Sequence, residues 1–188
     1  MKQVMIFCDG ACSGNGKETN IGGWGAVLKY KDQIRECFGG SPETTNNVME
    51  LTAAIEALKC LNSKEISVSV YSDSAYVVNC FQNGWYHKWK MNGWMTAKKE
   101  PVENKALWQE LIGLVESFSE VRFFKVKGHL DLNKASDLAK WHKKFIETNR
   151  LQISIDDFKT LTSMNHLADE LANKGIDSVR NPLSETQS

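Results

Sequence analysis

The sequence predicts an α/β fold with a five-stranded mixed sheet, and three observations support that prediction. The first forty residues alternate apolar runs with turn residues, which is typical of an antiparallel β-meander. A later apolar run, EISVSVYSD (residues 65–73), leads directly into a helix-forming stretch, which indicates a parallel strand pair. No linker divides the 188 residues, so we expect one domain over residues 1–176 and a polar tail at residues 177–188.

Each strand and helix has a local signal. Strands are predicted at residues 3–8, 22–30, 33–40, 65–73 and 121–128. The second and third of these strands are joined by a turn at Lys31-Asp32. After the meander, apolar residues recur at helical spacing, with Thr45 or Asn46 available as the cap.

The last third of the chain is predicted to be mostly helical. One helix places Leu138, Trp141 and Phe145 on a single face. A final helix begins with a capping box at Ser154 and is expected to end at Gly175, because glycine commonly follows a helix.

The composition excludes several classes of protein. Because 23 basic and 23 acidic side chains give zero net charge, any surface for nucleic acid must be local. Five cysteines without a CxxC pair indicate reduced thiols rather than a disulfide framework. The sequence shows neither a signal peptide nor a membrane span, so we expect a cytoplasmic monomer that binds no membrane.

Three acids fall where predicted elements begin or end. Asp9 ends the first strand, Asp73 ends the fourth, and Glu50 lies in the first turn of the helix between them. The carboxyl ends of strands converge on the crevice where open α/β sheets bind ligands. Glu50 shares its helical face with small and apolar residues, so its charge is expected to have a partner.

Acids that meet at one point repel each other, and a divalent cation is the simplest way to neutralise them. Oxygen ligands without a cluster of thiolates or imidazoles favour magnesium or manganese. Two such ions about 3.5–4 Å apart would suit phosphoryl transfer. We therefore expect two Mg²⁺ ions at this site, with Mn²⁺ able to substitute.

Six motifs in order resemble ribonuclease H of the bacterial type 1 form: FCDGACSGNG, TTNNVMELTAAIEAL, YSDSAYV, WYHKWKMNGWMTAKKEPVENKALW, KVKGH and NHLADELAN. The resemblance covers about residues 4–175. It implies a ribonuclease H-like fold with helices flanking the sheet, and magnesium-dependent endonucleolytic hydrolysis of the RNA strand of RNA–DNA hybrids. The products would carry 5′-phosphate and 3′-hydroxyl ends.

The resemblance also implies catalytic roles. By their motifs, Asp9, Glu50 and Asp73 are three of four metal-binding acids, and Asp169 in NHLADELAN is the fourth. His129 in KVKGH would sit on a mobile loop and help proton transfer or product departure.

The same resemblance implies contacts with the substrate. Asn15, Asn46 and Asn47 match positions that line the minor groove, where amides can reach 2′-hydroxyls and base edges. Thr45 and Asn104 match a pocket for a phosphate of the DNA strand.

A projecting handle is implied at about residues 84–102, where lysines and tryptophans suit a nucleic-acid backbone. Tryptophans at helical spacing usually belong to a core, so Trp94 and Trp108 are expected to be at least partly core. The handle residues expected to contact substrate are Trp85, Lys88 and Trp89.

The sequence departs from the family pattern in two places. Ala75 stands where the family often has an amide, so one minor-groove hydrogen bond is in doubt. An inserted segment at about residues 131–160 separates His129 from Asp169, and it offers a rival fourth acid, Asp137. We favour Asp169 because its motif is the fuller one.

Two other functions remain open from the sequence. Another nuclease or an integrase could use the same acid-bearing sheet, and fold-level analogy does not exclude it. A non-catalytic module that binds hybrids would be expected to lack at least one acid, and none of the first three is replaced.

Overall fold

The computed structural model describes residues 1–14 and 20–182. The strands are β1 (Lys2–Ser13), β2 (Ile21–Tyr30), β3 (Gln33–Ser41), β4 (Ile66–Ser72) and β5 (Glu120–Lys125). The helices are α1 (Asn46–Lys59), α2 (Ala75–Gln82), α3 (Trp85–Met91), α4 (Lys105–Ser117), α5 (Ala135–Asn149) and α6 (Ile155–Arg180).

The strands form one mixed sheet in the order β3-β2-β1-β4-β5. β1, β2 and β3 pair antiparallel, and the turn between β2 and β3 lies at Lys31 and Asp32 as predicted. β4 pairs parallel with both β1 and β5, because helices carry the chain back between these strands. The predicted α/β fold is confirmed.

Alternating residues of the strands supply two separate cores. Ile6 and Cys8 face one side, where they join the cluster that contains Leu51 of α1 and Trp108 of α4. Phe7 faces the other side and joins the cluster formed with α5 and α6. The central strand β1 is therefore covered on both faces.

α6 crosses the sheet with its backbone against glycines of β2. A Cβ atom on Gly25 would lie 2.4 Å from the carbonyl oxygen of Ala168, and one on Gly23 would lie 2.0 Å from that of Ala172. Real Cβ atoms do not approach so closely. Glycine at these positions therefore sets the height of α6 above the sheet.

α5 packs against the edge strand β5. Its buried Leu138 and Phe145 join the same core as α6. The Oδ1 atom of Asn149 accepts a hydrogen bond from the Lys125 amide at 2.7 Å, and its Nδ2 donates to the Lys125 carbonyl at 2.8 Å. The side chain of Asn149 thus takes the place of a neighbouring strand at the end of β5.

Two predicted boundaries were wrong. β1 continues past Asp9 to Ser13 because β2 pairs with it throughout, although the parallel pairing with β4 stops at Phe7. α6 continues past Gly175 to Arg180. A Cβ on Gly175 would lie 2.0 Å from a carbonyl oxygen of β3, so this glycine serves close packing rather than helix termination.

The expected tail at residues 177–188 is accordingly helical in its first part, and residues 183–188 lie outside the described residues. The segment at residues 131–160 contains the whole of α5 and the first turns of α6. No helix in the described part of the chain combines the length and apolarity needed to cross a membrane.

Candidate metal and nucleic-acid site

Strand register brings Asp9 and Asp73 together. Phe7 of β1 pairs with Tyr71 of β4, and their rings stack with centroids 5.0 Å apart. Side chains two residues apart point to the same face of a strand. Asp9 and Asp73, each two residues further on, therefore lie side by side on the face that α6 covers.

Glu50 reaches the same point from α1. The side chain of Thr45 caps this helix by accepting a hydrogen bond from the Val48 amide at 3.2 Å. α1 can approach β1 because Gly10 has no side chain: a Cβ atom there would lie only 2.5 Å from the backbone nitrogen of Glu50. Glu50 is the fifth residue of α1, just beyond the first turn in which it was predicted.

The three acids form a tight cluster. One carboxylate oxygen from each of Asp9, Glu50 and Asp73 lies within 4.8 Å of the others. Asp9 and Glu50 are buried, and the Oε2 atom of Glu50 has no hydrogen-bond partner. Burial, followed by the charges of the neighbouring acids, raises the pKa of both Asp9 and Glu50 well above the usual range. The cluster therefore favours a bound cation.

Asp169 of α6 lies beside this cluster, next to Asp9. Its carboxyl group is one of the causes of the raised pKa of Asp9. The contact follows from packing, because Gly25 pairs with Asp9 across the sheet and also lies against the carbonyl of Ala168. The rival acid Asp137 lies in the first turn of α5, where a negative charge suits the helix dipole.

The loop after β5 closes over one side of the cluster. A Cβ on Gly128 would lie 2.3 Å from the Oδ2 atom of Asp73, so this loop passes against that carboxylate. The next residue, His129, has a left-handed backbone with φ of 55° and a side chain that is 79% exposed. Its Nδ1 atom lies 4.0 Å from Oδ2 of Asp169.

Sequence reasoning missed Lys125. It is half-buried at the end of β5, and its pKa is lowered by burial, which the negative charges of Asp73 and Glu50 partly oppose. Its Nζ atom donates to the carbonyl of Val126 at 3.1 Å. The available signal was a lysine at the end of β5, whose neighbouring strand, β4, leads directly to Asp73.

The predicted minor-groove residues lie at the start of α1. Thr45 is its N-cap, Asn46 and Asn47 are its first two residues, and all three reach the surface about one turn before Glu50. Asn15 lies outside the described residues.

The other predicted contacts lie around the handle. Trp85 is 40% exposed at the first residue of α3, and Lys88 is exposed on the same helix. Trp89 is half-buried, and its ring packs against those of Trp94 and Trp108 with centroids 5.7 and 5.4 Å away. Trp108 is fully buried, so the expected core role of these rings is confirmed.

Asn104 precedes α4 in a left-handed conformation with φ of 56°. Its Nδ2 atom donates to the hydroxyl of Tyr76 at 3.2 Å, and the indole of Trp108 donates to the same hydroxyl at 2.9 Å. The buried tryptophan and this asparagine are thus held by one hydroxyl.

Comparison with known proteins gives consistent results. A family model described as RNase H matches residues 1–177. A curated protein named Ribonuclease H from Moorella thermoacetica is 52% identical over 143 residues, which is 74% of this chain and 91% of the relative. Another from Chlorobium chlorochromatii is 55% identical over 130 residues, covering 69% of this chain and 86% of the relative. This chain therefore carries residues that these relatives lack.

Solved structures share the fold. LC9-RNase H1, described as a type 1 RNase H with the type 2 active-site motif, is 26% identical, covers 87% of this chain and 83% of its own, and has a TM-score of 0.59. The PFV RNase H domain is 23% identical over 93% of this chain and 94% of its own, with a TM-score of 0.63. LC11-RNase H1, solved in complex with an RNA/DNA hybrid, is 22% identical over 94% of this chain and 98% of its own, with a TM-score of 0.55.

Proposed function

From the premise that this chain belongs to the ribonuclease H family, we propose that it cuts the RNA strand of RNA–DNA hybrids internally by metal-dependent hydrolysis. Members of this family are hydrolytic nucleases, and the chain spans most of the length of its relatives. The observation that carries the proposal is the cluster of three carboxylates within 4.8 Å, one of whose buried oxygens lacks a partner.

The residues of this cluster fit magnesium. All the donors are carboxylate oxygens, which Mg²⁺ prefers, and the unpartnered Oε2 of Glu50 is free to bind. Asp9, Glu50 and Asp73 would hold the ions, with Asp169 at the margin next to Asp9. Two bound Mg²⁺ ions, or Mn²⁺ in their place, supply an activated water and neutralise charge on the phosphate.

Side chains around the cluster have distinct tasks. The buried acids hold their geometry because β1 packs against α1 on one face of the sheet, against α6 on the other, and pairs with β4. His129, exposed beside Asp169, would carry a proton to the 3′ oxygen as its bond to phosphorus breaks, which gives 3′-hydroxyl and 5′-phosphate ends. Lys125 places a positive charge near Asp73 and limits repulsion within the cluster.

The hybrid would lie across the start of α1 and the handle. Asn46 and Asn47, and Asn15 by its motif, would reach the minor groove, where 2′-hydroxyls distinguish RNA from DNA. Thr45 and Asn104 would hold a phosphate of the DNA strand, and Trp85, Lys88 and Trp89 would support its backbone. We expect the protein to act as a cytoplasmic monomer.

A cleavage assay tests the proposal. Hybrids labelled on either strand, duplex RNA, duplex DNA and single-stranded RNA are incubated with the protein, with and without Mg²⁺. We expect cleavage only of the RNA strand of the hybrid and only with the metal, and fragments whose 5′ ends resist kinase labelling until a phosphatase is added. Equal cleavage of duplex RNA, or near-normal cleavage by the Asp9→Asn variant, would contradict the proposal.

A further inference from the structure

Helix α5 and the loop that follows β5 present a group of lysines around one tryptophan. The Nζ atoms of Lys127, Lys140 and Lys144 lie 4.9, 5.4 and 4.8 Å from the ring centre of Trp141. All three lysines are exposed, and the ring is half-buried. We call these four residues the α5 patch.

Acids do not neutralise the α5 patch. Asp137 and Glu147 are on the same helix, yet neither approaches a patch lysine within ion-pair distance in the described part of the chain. Each ammonium group instead lies near the face of the ring, where the electron density attracts cations. Three like charges held around one ring form a site for an anion.

The α5 patch lies at the end of the sheet that carries the acids. A groove of about 380 Å³ is lined by Lys127, Trp141 and Lys144 and also by Ala75 and Lys125. Ala75 is two residues after Asp73, so the groove runs from the neighbourhood of the acid cluster to α5. A chain of phosphates that passes the acids can continue into it.

The patch is also held in place. Phe145, one residue after Lys144, is buried, and Asn149 at the end of α5 bonds the backbone of Lys125. A charged surface on such a fixed helix loses little freedom when it binds, which favours a definite contact over a loose one.

We propose that the α5 patch binds backbone phosphates of the RNA–DNA hybrid next to the cleavage point, as a second basic surface in addition to the handle. The proposal rests on the proposed function for the identity of its ligand. Lysines bind phosphate as point charges and without regard to sequence, so the contact strengthens binding of the hybrid in a salt-dependent way.

The test is a triple variant, Lys127→Gln/Lys140→Gln/Lys144→Gln, measured by fluorescence anisotropy with a labelled hybrid in the absence of divalent ions. The matched control is Lys2→Gln/Lys31→Gln/Lys64→Gln. It removes three lysines that also lie over aromatic rings but are at the end of the strands opposite to the acids. We expect the patch variant to raise the Kd about tenfold at low salt. The plot of log association constant against log salt concentration has a negative slope, and we expect it to become less steep by roughly 2–3.

In cleavage assays with Mg²⁺, the KM of the patch variant should rise more than its kcat falls, and replacement of the same lysines with arginine should restore most of the affinity. If the patch and control variants show the same Kd and salt slope while the unmodified protein cuts hybrids, the inference is overturned and the proposed function stands. If the unmodified protein does not cut hybrids, yet only the patch variant loses salt-dependent binding, the proposed function fails and the binding surface stands.

Discussion

The two helices that end the chain carry similar short patterns with very different surroundings. In α5, Asp137 precedes Leu138 in an exposed first turn. In α6, Asp169 precedes Leu171 by two residues, and its neighbour Ala168 lies against the backbone of β2. Both leucines are buried, so both patterns dock a helix. Only the second pattern brings its acid to Asp9.

The difference teaches that backbone contact, more than motif, decides which acid belongs to the site. A metal ligand must be held to within about 0.5 Å of its working position. α6 meets this need because the glycines of β2 let it touch the sheet. α5 packs through side chains against β5, and the first turn of a helix is free to face solvent.

The largest expected effect comes from replacing each of the two acids in turn with asparagine. Asp169→Asn should lower kcat more than about 100-fold. Mutation of residues that only hydrogen-bond to metal ligands already lowers metal affinity or activity about 10–100-fold. Asp137→Asn should change kcat less than about twofold, because its carboxylate serves only the helix dipole. Rates on a labelled hybrid with Mg²⁺ measure both. An inactive Asp137 variant would reverse the comparison and make α5 the catalytic helix.

A smaller effect is expected from lifting α6 off the sheet. Gly25→Ala places a Cβ 2.4 Å from the carbonyl of Ala168, so the helix must shift. We expect a loss of about 3 kcal/mol or more in the free energy of unfolding, with a fall in kcat because Asp169 moves away from Asp9.

The matched control is Gly113→Ala in α4, where no atom lies within 4 Å of the new Cβ. Alanine has the higher helix propensity, so this variant should gain about 1 kcal/mol. Urea denaturation compares the two variants. Equal stability of both would mean that the contact between α6 and β2 does not set the helix position.

The smallest effect concerns charge. Because the pKa of Asp9 and that of Glu50 are raised in the folded protein, the metal-free protein holds protons that the unfolded chain has lost. Its free energy of unfolding should therefore fall as the pH rises from about 4, the ordinary carboxyl range, through about 8, the raised value for Glu50.

Asp9→Asn removes this cost, so its Tm in EDTA should exceed that of the unmodified protein by an amount that grows with pH, roughly 2–4 °C for each kcal/mol. Asp137→Asn should instead lower the Tm slightly at neutral pH, by about 0.3–1 kcal/mol in stability, through loss of the dipole interaction. Thermal melts at several pH values decide the matter, and a pH-independent difference for Asp9→Asn would argue against the buried cluster.

Much of the fold could be predicted because its signals are local. The continuous apolar run that contains Ile6 and Phe7 predicted a buried strand, and the structure places these two residues in the cores on opposite faces. Thr45 was one of two candidate caps, and its hydrogen bond to Val48 identifies it as the cap. The sequence predicted the convergence of Asp9 with Asp73 from strand ends. The structure shows that only the pairing of β1 with β4 ends before Asp9, whereas β1 itself continues to Ser13.

The rest depended on contacts that sequence spacing does not encode. Gly175 has the identity of a helix terminator, and only its packing against β3 shows why α6 continues. Lys125 begins the motif KVKGH, yet its place near Asp73 depends on how β5 aligns with β4. The sequence favoured Asp169 over Asp137 only because its motif is fuller. The contacts of the β2 glycines with α6 give a physical reason for the same preference.

The hydrogen bonds of Asn149 also have a consequence for the edge of the sheet. β5 is an edge strand, and the free amides and carbonyls of such a strand can recruit a strand from another molecule. The carboxamide of Asn149 occupies both backbone groups of Lys125, and α5 stands in front of them. At this end of β5, a strand from another molecule therefore has no backbone groups of Lys125 to pair with.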